Sequence, residues 1–413
     1  MSDVISCREF GLIPVGGSDG LRDRELAHLV MLRDSGPPFF SEERRAGGWH
    51  CRFAGFAGAI AMPGGRTLEI LPKIASEADT AARSLVMRML AATRLAPAIE
   101  HDLDSYASSP HLIEAYLRVA ADLALQQLRR GLFHAYRRLN LRLPVVRGRL
   151  RIAAQLARLP ERLDAHLLTA DEFTADIDLN RAIKGGISRI DRLSRVTETR
   201  ARCRELLARL DAVADAPSTP QHLAALLRGL VLDRRHAHFT ALIRVLTLIV
   251  TDQGSAAAAG AGAPGPAWLF AMDKLFEAYV AERLQQVARG VEIAIQGPVR
   301  TFAIDGSFQL RPDVVVITRG RPVLVLDTKW KLLERDLNDT DLVDLRQVYA
   351  YARVYGVDRA VLTYPGTSGA RCLRRDFVVN DGGAIRISVC QLPLFEDDVG
   401  ELDRVLSDLI AHE

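Results

Sequence analysis

Several features are missing from this 413-residue chain. No apolar run reaches the roughly 18 residues that a membrane-spanning helix needs, and the first residues, MSDVISCREF, lack the layout of a signal peptide. The five cysteines are scattered without a CxxC pair, which argues against a disulfide framework and a zinc site. No GxxxxGK(S/T) phosphate-binding loop occurs. We therefore expect a cytoplasmic chain with no membrane partner and no nucleotide-hydrolysing motor of its own.

Lysine is scarce as well, because only five of the 54 basic residues are lysines and the others are arginines. Two of the five, Lys329 and Lys331, stand in the short segment DTKWK. Arginine stays protonated in proteins, whereas lysine is a compact charge whose pKa can shift. The lysine at position 329 therefore favours a chemical role over a plain salt bridge.

The composition is otherwise that of a globular protein with two or three domains, with 48% hydrophobic and 25% charged residues. The charge is unevenly spread: residues 101–250 hold 24 Lys and Arg against 16 Asp and Glu, whereas residues 267–413 hold 18 against 22. If the substrate is a polyanion, the basic middle region or a partner chain must help to bind it. A helical region with solvated arginines explains the same numbers equally well.

The stretch FQLRPDVVVITRGRPVLVLDTK (308–329) predicts a β-hairpin, because two apolar β-branched runs flank the turn TRGRP. A hairpin centred on Gly320 pairs positions at equal distance from that residue: Val315 with Val325, Ile317 with Val323, and Asp313 with Asp327. Lys329 follows on the same face of the second strand, because side chains alternate along a strand. The hairpin therefore brings two carboxylates and one ammonium group together.

Two facing carboxylates in an apolar sheet repel each other and are costly to bury. A divalent cation removes this conflict, and hard oxygen ligands suit Mg²⁺ best. An adjacent lysine could orient or deprotonate a water molecule, or neutralise charge that develops on a phosphate. The alternative is a salt bridge between Lys329 and the two acids at the strand ends.

Along the chain, the patterns predict a multidomain α/β protein. Residues 1–100 are expected to form a β-rich N-terminal domain that binds a partner, residues 101–253 a mainly helical basic region, residues 254–266 a linker or loop, and residues 267–413 a mixed sheet flanked by helices. Helical spacing predicts helices over 111–139 and over 268–290, the second ending at Gly290. The segment 168–193 is expected to be a loop with helix caps that leads into a further helix.

The segment VRGRLR puts Arg147, Arg149 and Arg151 on one face of a short strand or arm. These side chains could contact phosphates, although a solvated edge strand is the commoner outcome of such a pattern. Lys331 is a further candidate for binding nucleic acid.

Several of these residues resemble the PD-(D/E)XK nuclease superfamily: Asp313 after Pro312, the triplet Asp327-Thr328-Lys329, Glu277 on the preceding helix, and Gln347 with Tyr351 on the following helix. The resemblance then extends over most of the chain. Four segments are similar to successive signatures of the McrC family, the nuclease subunits of McrBC-type restriction systems: LEILPKI (68–74), VRGRL (146–150), DEFTADIDLNRAIK (171–184) and MDKLFEAYV (272–280).

The resemblance implies a metal-dependent endodeoxyribonuclease with five catalytic residues: Asp313, Asp327, Lys329, Glu277 and Gln347. Mg²⁺, or Mn²⁺ in its place, would be held by the two aspartates and the carbonyl of Thr328. Lys329 would position or activate the attacking water. Glu277 would bind the metal through water, and Gln347 would orient Lys329 or the cleaved strand.

The resemblance also implies partners. In the family, McrC works with McrB, a hexameric AAA+ GTPase that binds GTP and recognises double-stranded DNA with modified cytosine, and McrC stimulates that GTPase. Lys73 and the arginines of 146–151 are candidates for the contact with this partner. Two alternatives stay open, namely a stand-alone nuclease that acts on DNA structures or RNA, and a non-catalytic adaptor of an AAA+ motor.

Overall fold

The computed structural model describes residues 4–74, 79–95, 103–157, 165–216, 219–251, 267–333, 337, 340–367, 373–380, 382–383, 385–395 and 399–411. Within these ranges lie twelve α-helices: α1 (Asp23–Asp34), α2 (Asp79–Leu90), α3 (Leu103–Ala107), α4 (Leu112–Leu128), α5 (Ile152–Leu156), α6 (Asp178–Leu193), α7 (Thr197–Arg209), α8 (Pro220–Gly229), α9 (Thr240–Thr251), α10 (Met272–Val287), α11 (Leu342–Tyr355) and α12 (Val399–Ile410). None of these helices combines the length and the apolar character needed to cross a membrane.

The same ranges contain eighteen strands: β1 (Val4–Arg8), β2 (Leu12–Pro14), β3 (Phe40–Arg45), β4 (Gly48–Phe53), β5 (Phe56–Ala61), β6 (Thr67–Leu71), β7 (Ala135–Leu143), β8 (Arg149–Leu150), β9 (His166–Thr174), β10 (Ala267–Ala271), β11 (Glu292–Ile295), β12 (Arg300–Thr301), β13 (Gln309–Leu310), β14 (Val314–Thr318), β15 (Arg321–Thr328), β16 (Arg359–Pro365), β17 (Leu373–Val378) and β18 (Arg386–Leu392). The chain divides into two compact units, one made of residues 1–115 with 252–413 and the other of residues 116–251. The predicted linker 254–266 lies outside the described residues.

The two segments of the first unit share a four-stranded sheet in the order β1-β6-β5-β10, in which β10 comes from the second segment. Strand β10 pairs antiparallel with β5, and Leu269 lies opposite Gly58. A Cβ atom on Gly58 would lie 1.8 Å from the carbonyl oxygen of Trp268, and the φ angle of Gly58 is +150°. Only glycine allows this close approach, so Gly58 is required for the pairing of β5 with β10.

This sheet also corrects the predicted helix over 268–290. The helix α10 begins at Met272 and ends at Val287, whereas residues from Ala267 to Ala271 form β10. A short apolar run such as AWLFA fits a buried strand as well as a helix, and pairing with β5 decides between the two. The first unit also contains the helix α1 and a three-stranded sheet, β2-β4-β3, which sequence patterns did not predict in detail.

The C-terminal segment forms a six-stranded sheet in the order β11-β14-β15-β16-β18-β17. The sheet is mixed, because β15, β16 and β18 run parallel while the β14–β15 and β17–β18 pairs are antiparallel. Helix α11 connects the parallel strands β15 and β16. Its residues Val348 and Ala352 share one apolar cluster with Val315, Val325 and Leu362. One face of the sheet is therefore covered by α11, and α10 packs against β15 as well.

The hairpin β14–β15 has the predicted register over most of its length. Val315 lies opposite Val325 as expected, but a register shift after Val316 sets Ile317 opposite Pro322. The predicted pairing of Ile317 with Val323 is thus wrong. The register shift arises from the turn, which has two residues, Arg319 and Gly320, with φ angles of +51° and +75°. Two successive positive φ angles match a tight turn of type I′, so TRGRP is not a five-residue loop.

The second unit, which begins at Tyr116, contains most of α4, the helices α5 to α9, and a three-stranded sheet in the order β7-β9-β8. The predicted helix over 111–139 is wrong beyond Leu128, where α4 ends before β7 begins at Ala135. The predicted loop also begins too early, because β9 runs to Thr174 before α6 starts. Residues alternate between half-buried and exposed along the whole of β7, which is the period of a strand and not of a helix.

Candidate active site

An open cleft of about 700 Å³ lies in the first compact unit. Its lining combines the N-terminal strands, α10, the hairpin β14–β15 and α11: Phe10, Gly55, Phe56, Ala271, Asp273, Lys274, Glu277, Arg311, Asp313, Asp327, Thr328, Lys329, Trp330, Lys331, Gln347 and Tyr351. The five residues predicted to be catalytic therefore all line one cleft. The residues that the N-terminal segment contributes to its wall were not anticipated.

The two aspartates are held at adjacent strand ends. Asp313 directly precedes β14, and Asp327 is the next-to-last residue of β15. The Oδ2 atom of Asp313 accepts hydrogen bonds from the backbone nitrogen and the hydroxyl of Thr328, both at 2.7 Å. Asp313 is thereby fixed to the opposite strand, beside Asp327. Because a carboxylate that accepts two such bonds has few rotamers left, its other oxygen is preorganised.

Burial and mutual repulsion oppose the ionisation of this pair. Burial raises the pKa of Asp313 to about 7, and the negative charges of Asp327 and Glu277 add to the increase, which the bonds from Thr328 only partly offset. Burial also raises the pKa of Asp327, although the contact with Lys329 lowers it in part. Two acids with raised pKa values beside each other in a cleft are typical of a functional site.

Lys329 lies between the acids and α11. Its Nζ atom is 2.6 Å from the Oδ2 atom of Asp327 and donates to the Oε1 atom of Gln347 at 2.9 Å. The Nε2 atom of Gln347 in turn donates to the hydroxyl of Tyr351 at 2.7 Å. The Gln347 amide is thus fixed at both ends, and it holds the ammonium group of Lys329 at the cleft surface. Of the salt bridge to both acids that the alternative explanation predicted, the contact between Lys329 and Asp327 is present, and it forms part of a larger network.

Glu277, on the first turns of α10, is buried and faces the same cleft. Its two carboxylate oxygens accept hydrogen bonds from Gln296 at 2.7 Å and from Lys274 at 2.8 Å. Gln296 follows β11 in a positive-φ conformation, and its backbone nitrogen donates to the carbonyl oxygen of Asp313 at 2.8 Å. Gln296 therefore joins Glu277 to the strand that carries Asp313. No sequence signal marked Gln296, because its role depends on a contact across the sheet.

The residues predicted to bind nucleic acid are divided between the two units. Lys331 lines the cleft, but its Nζ atom lies 2.8 and 3.0 Å from the carboxylate oxygens of the buried Asp344 and 3.5 Å from Asp341. Its charge is therefore largely paired. The arginines at 147, 149 and 151 are exposed and belong to the second unit. Their contact with phosphates stays a prediction.

Lys73, predicted to contact a partner, packs inside the first unit. Its backbone nitrogen donates to Glu9 at 3.0 Å, and its Nζ atom donates to the carbonyl oxygen of Trp330 at 3.2 Å. The ammonium group also lies 4.6 Å from the centre of the Phe10 ring. Burial lowers the pKa of Lys73. These contacts account for a lysine at this position without a partner chain.

No cluster of three or more His, Cys, Asp and Glu side chains is arranged to hold a metal ion in the part of the chain that the structure describes. The carboxylates that line the cleft are those of Asp313, Asp327, Glu277 and Asp273. A metal ion bound here would need backbone carbonyl or water oxygens to complete its ligand set.

Comparison with known proteins gives the chain a family. The family model described as McrBC 5-methylcytosine restriction system component matches residues 51–365, which is more than half of the chain. The chain belongs to this family. The matched range includes the hairpin with Asp313, Asp327 and Lys329. The search of curated protein sequences found no match to this chain.

The fold of this McrBC component is similar to that of solved relatives. A chain from the refined half-complex of the tetradecameric assembly of Thermococcus gammatolerans McrB AAA+ hexamers with bound McrC aligns with a TM-score of 0.74 at 18% identity, covering 98% of this chain and 99% of that one. A chain of the Thermococcus gammatolerans McrBC complex aligns with a TM-score of 0.51 at 18% identity, covering 69% and 88%. The family model and the shared fold together confirm the resemblance to McrC.

Proposed function

We propose that this McrBC component is the Mg²⁺-dependent endonuclease subunit of its restriction system and cleaves double-stranded DNA that contains modified cytosine. The observation that carries the proposal is the convergence of Asp313, Asp327 and Lys329 in one cleft, with Lys329 within 3 Å of both Asp327 and Gln347. A phosphodiester bond can be hydrolysed by such a set, because it offers oxygen ligands for a cation and a positive charge for the phosphate.

The sheet supports a fold of the PD-(D/E)XK type. The two acids lie on an antiparallel hairpin, the next strand β16 runs parallel to β15, and α11 connects them. The helix α10, which carries Glu277, precedes the sheet. This arrangement of acids, lysine and flanking helices corresponds to the motif that the sequence resembles.

The donor set fits Mg²⁺. Asp327 is buried and Asp313 is half-buried, and desolvation raises the pKa values of both carboxyl groups. A divalent cation would therefore relieve the cost of their charges. These two carboxylates and the carbonyl oxygen of Thr328 would hold the ion, and Glu277 would bind it through water. When bound, the ion supplies charge neutralisation at the phosphate and lowers the pKa of a water molecule.

Lys329 and Gln347 supply the remaining chemistry from the protein itself. The ammonium group of Lys329 can orient the attacking water or neutralise charge on the phosphate oxygens. Gln347 keeps that group in place, and Tyr351 keeps Gln347 in place through its hydroxyl. Glu277 is held by Lys274 and Gln296, which fixes its carboxylate in the wall of the cleft.

A separate motor completes the proposal. The chain has no phosphate-binding loop, and the solved relative contains McrB AAA+ hexamers with bound McrC. We infer that an McrB-type AAA+ GTPase hexamer binds this chain, uses GTP to bring modified DNA to the cleft, and has its GTPase stimulated by this chain.

The test combines the purified chain and its McrB-type partner with GTP, Mg²⁺, and methylated or unmethylated DNA. We expect cleavage of methylated DNA only, and loss of cleavage when both Asp313 and Asp327 are changed to alanine. Asp305→Asn is the matched control, because Asp305 is an exposed acid bonded to Ser307 in the preceding hairpin. It should cleave as the native chain does.

Two other outcomes would favour other functions. Cleavage of DNA or RNA by the chain alone, without a nucleotide-hydrolysing partner, would indicate a stand-alone nuclease. Restriction by a complex that carries both alanine substitutions would indicate an adaptor that only regulates the motor.

A further inference from the structure

Glu9 directly precedes Phe10, which lines the cleft, and the proposed catalytic chemistry does not use Glu9. It is the first residue after β1, and its backbone nitrogen donates to the carbonyl oxygen of Leu71 at 2.9 Å, which fixes it to β6. The residue is only 4% exposed. A buried carboxylate is costly unless it is hydrogen-bonded, so its partners define its role.

The main partner of Glu9 is Trp330, 321 residues away in the sequence. The indole Nε1 atom of Trp330 lies 3.1 and 3.0 Å from the two carboxylate oxygens of Glu9. The backbone nitrogen of Lys73 donates to the Oε2 atom of Glu9 at 3.0 Å. The carboxylate of Glu9 thus accepts hydrogen bonds from a side chain that follows β15 and from the backbone that follows β6. Hydrogen bonds to a charged acceptor are among the stronger ones in proteins.

Trp330 is the residue directly after Lys329, and it is fixed at three points. Its ring nitrogen is bound by Glu9, its ring packs 5.4 Å from that of Phe276, and its carbonyl oxygen accepts from the Nζ atom of Lys73 at 3.2 Å. The residue is 8% exposed. Because the peptide unit is planar, fixing the backbone and ring of Trp330 restricts the backbone that carries Lys329.

Lys329 itself lies one residue beyond the end of β15. Its backbone nitrogen still donates to the carbonyl oxygen of Thr363 at 2.9 Å. Its side chain points to Asp327 and Gln347, whereas that of Trp330 is bound by Glu9. The position of the ammonium group therefore depends on contacts on both sides of this short segment. Phe276, which packs on Trp330, also directly precedes Glu277.

We propose that Glu9 is a positioning residue of the nuclease centre and acts through Trp330 to hold Lys329 in the cleft. The inference rests on the proposed nuclease function. It makes the N-terminal sheet a necessary part of the cleavage centre in addition to any role in binding a partner.

The experiment compares Glu9→Gln and Trp330→Phe in the full chain, assembled with its McrB-type partner, GTP, Mg²⁺ and methylated DNA. Glutamine keeps the size of Glu9 but removes the charge, and phenylalanine keeps ring packing but removes the N–H donor. We expect kcat to fall about 10- to 100-fold in each variant, since small displacements of a catalytic group have effects of this size. KM for DNA should stay within about twofold, because Glu9 is not among the residues that line the cleft and phenylalanine keeps the aromatic ring of Trp330 in its wall.

The double variant should be no slower than the slower single variant, because both changes act on the same Glu9–Trp330 contact: glutamine removes the charge of the acceptor, and phenylalanine removes the donor. Glu42→Gln and Trp49→Phe are the matched controls, since both residues are exposed on neighbouring strands of the same unit. Both controls should keep the native kcat. Thermal unfolding shows whether each variant is folded. If one of the two single variants, Glu9→Gln or Trp330→Phe, is not folded, the kcat of the other one tests the proposal.

The outcomes separate this inference from the function on which it rests. A native complex that does not cleave DNA overturns the proposed nuclease. A native complex that cleaves, together with folded Glu9 and Trp330 variants of native kcat, overturns the positioning role alone. A rise in KM with native kcat overturns it too, because it would assign Glu9 to DNA binding or assembly.

Discussion

The hairpin β14–β15 and the strand pair β7–β9 are both antiparallel, but they differ in the solvent exposure of their charged side chains. The first buries carboxylates at its open end, where Asp313 and Asp327 are held by Thr328 and Lys329. The second presents polar residues along one exposed face, including Tyr136, Arg138 and Arg142. Buried charges have shifted pKa values and can perform chemistry, whereas exposed charges act through weak, salt-sensitive attraction. The two strand pairs should therefore respond to different experiments.

The largest expected effect concerns two lysines that stand two residues apart. Lys329→Met should lower the cleavage rate about 10³-fold, the order of loss seen when a preorganised charge partner of a transition state is removed. Lys331→Met should lower it by less than about threefold, because this partly exposed ammonium group serves mainly an ion pair with Asp344. Single-turnover cleavage by the assembled complex measures both. Equal losses would contradict the different roles that their contacts indicate.

The next effect concerns stability and pH. Because the pKa of Asp313 is raised to about 7, the folded chain binds more protons than the unfolded chain between pH 4 and 7, and its stability falls as the pH rises through this range. Asp313→Asn removes the destabilising charge. We therefore expect the metal-free variant to be more stable than the native chain by roughly 2 kcal/mol at pH 8, and by much less near pH 4.

Thermal unfolding in the presence of a chelator measures this difference at both pH values. Mg²⁺ should then stabilise the native chain at pH 8 and stabilise the Asp313→Asn variant much less. The same stability difference at pH 4 and pH 8 would contradict the raised pKa of Asp313. Equal stabilisation of both chains by Mg²⁺ would contradict the proposed metal site.

The smallest effect belongs to the exposed arginines. Changing Arg147, Arg149 and Arg151 together to glutamine should weaken DNA binding about tenfold and reduce the slope of log Kd against log salt by up to about 3, one for each phosphate that an arginine no longer neutralises. The single-turnover rate on saturating DNA should not change. A salt titration of DNA binding measures the slope. An unchanged slope would show that these arginines are only solvated, as their pattern also allows.

Sequence patterns predicted the central hairpin because its evidence is local. Val315 and Val325 pair as expected, since the strands are short and the acids stand at fixed distances from the turn. The resemblance to the nuclease superfamily implied that Gln347 and Tyr351 share one helix, and their two side chains are hydrogen-bonded. The register beyond Val316 could not be predicted, because it depends on which two residues take positive φ angles.

The remaining differences arise where distant segments decide the structure. The run AWLFA forms β10 through its pairing with β5, in which Gly58 lies opposite Leu269. Trp330 is hydrogen-bonded to Glu9, which is 321 residues away in the sequence. The strand β7 is a different case, since the alternation in LNLRL was present in the sequence but followed a strong helical pattern. A change of period from 3.6 to 2 within one continuous run marks such a boundary.

The pairing of β10 with β5 also affects the order in which the protein can fold during synthesis. The chain leaves the first unit at residue 115 and returns to it at residue 252, so the edge of β5 waits for about 200 residues of synthesis, roughly 10–40 s at ribosomal rates. The second unit can fold in that interval from its own contiguous residues. A nascent chain can therefore contain a folded second unit while the sheet of the first unit is still incomplete, and the cleft cannot form before the residues up to Tyr351 have been made.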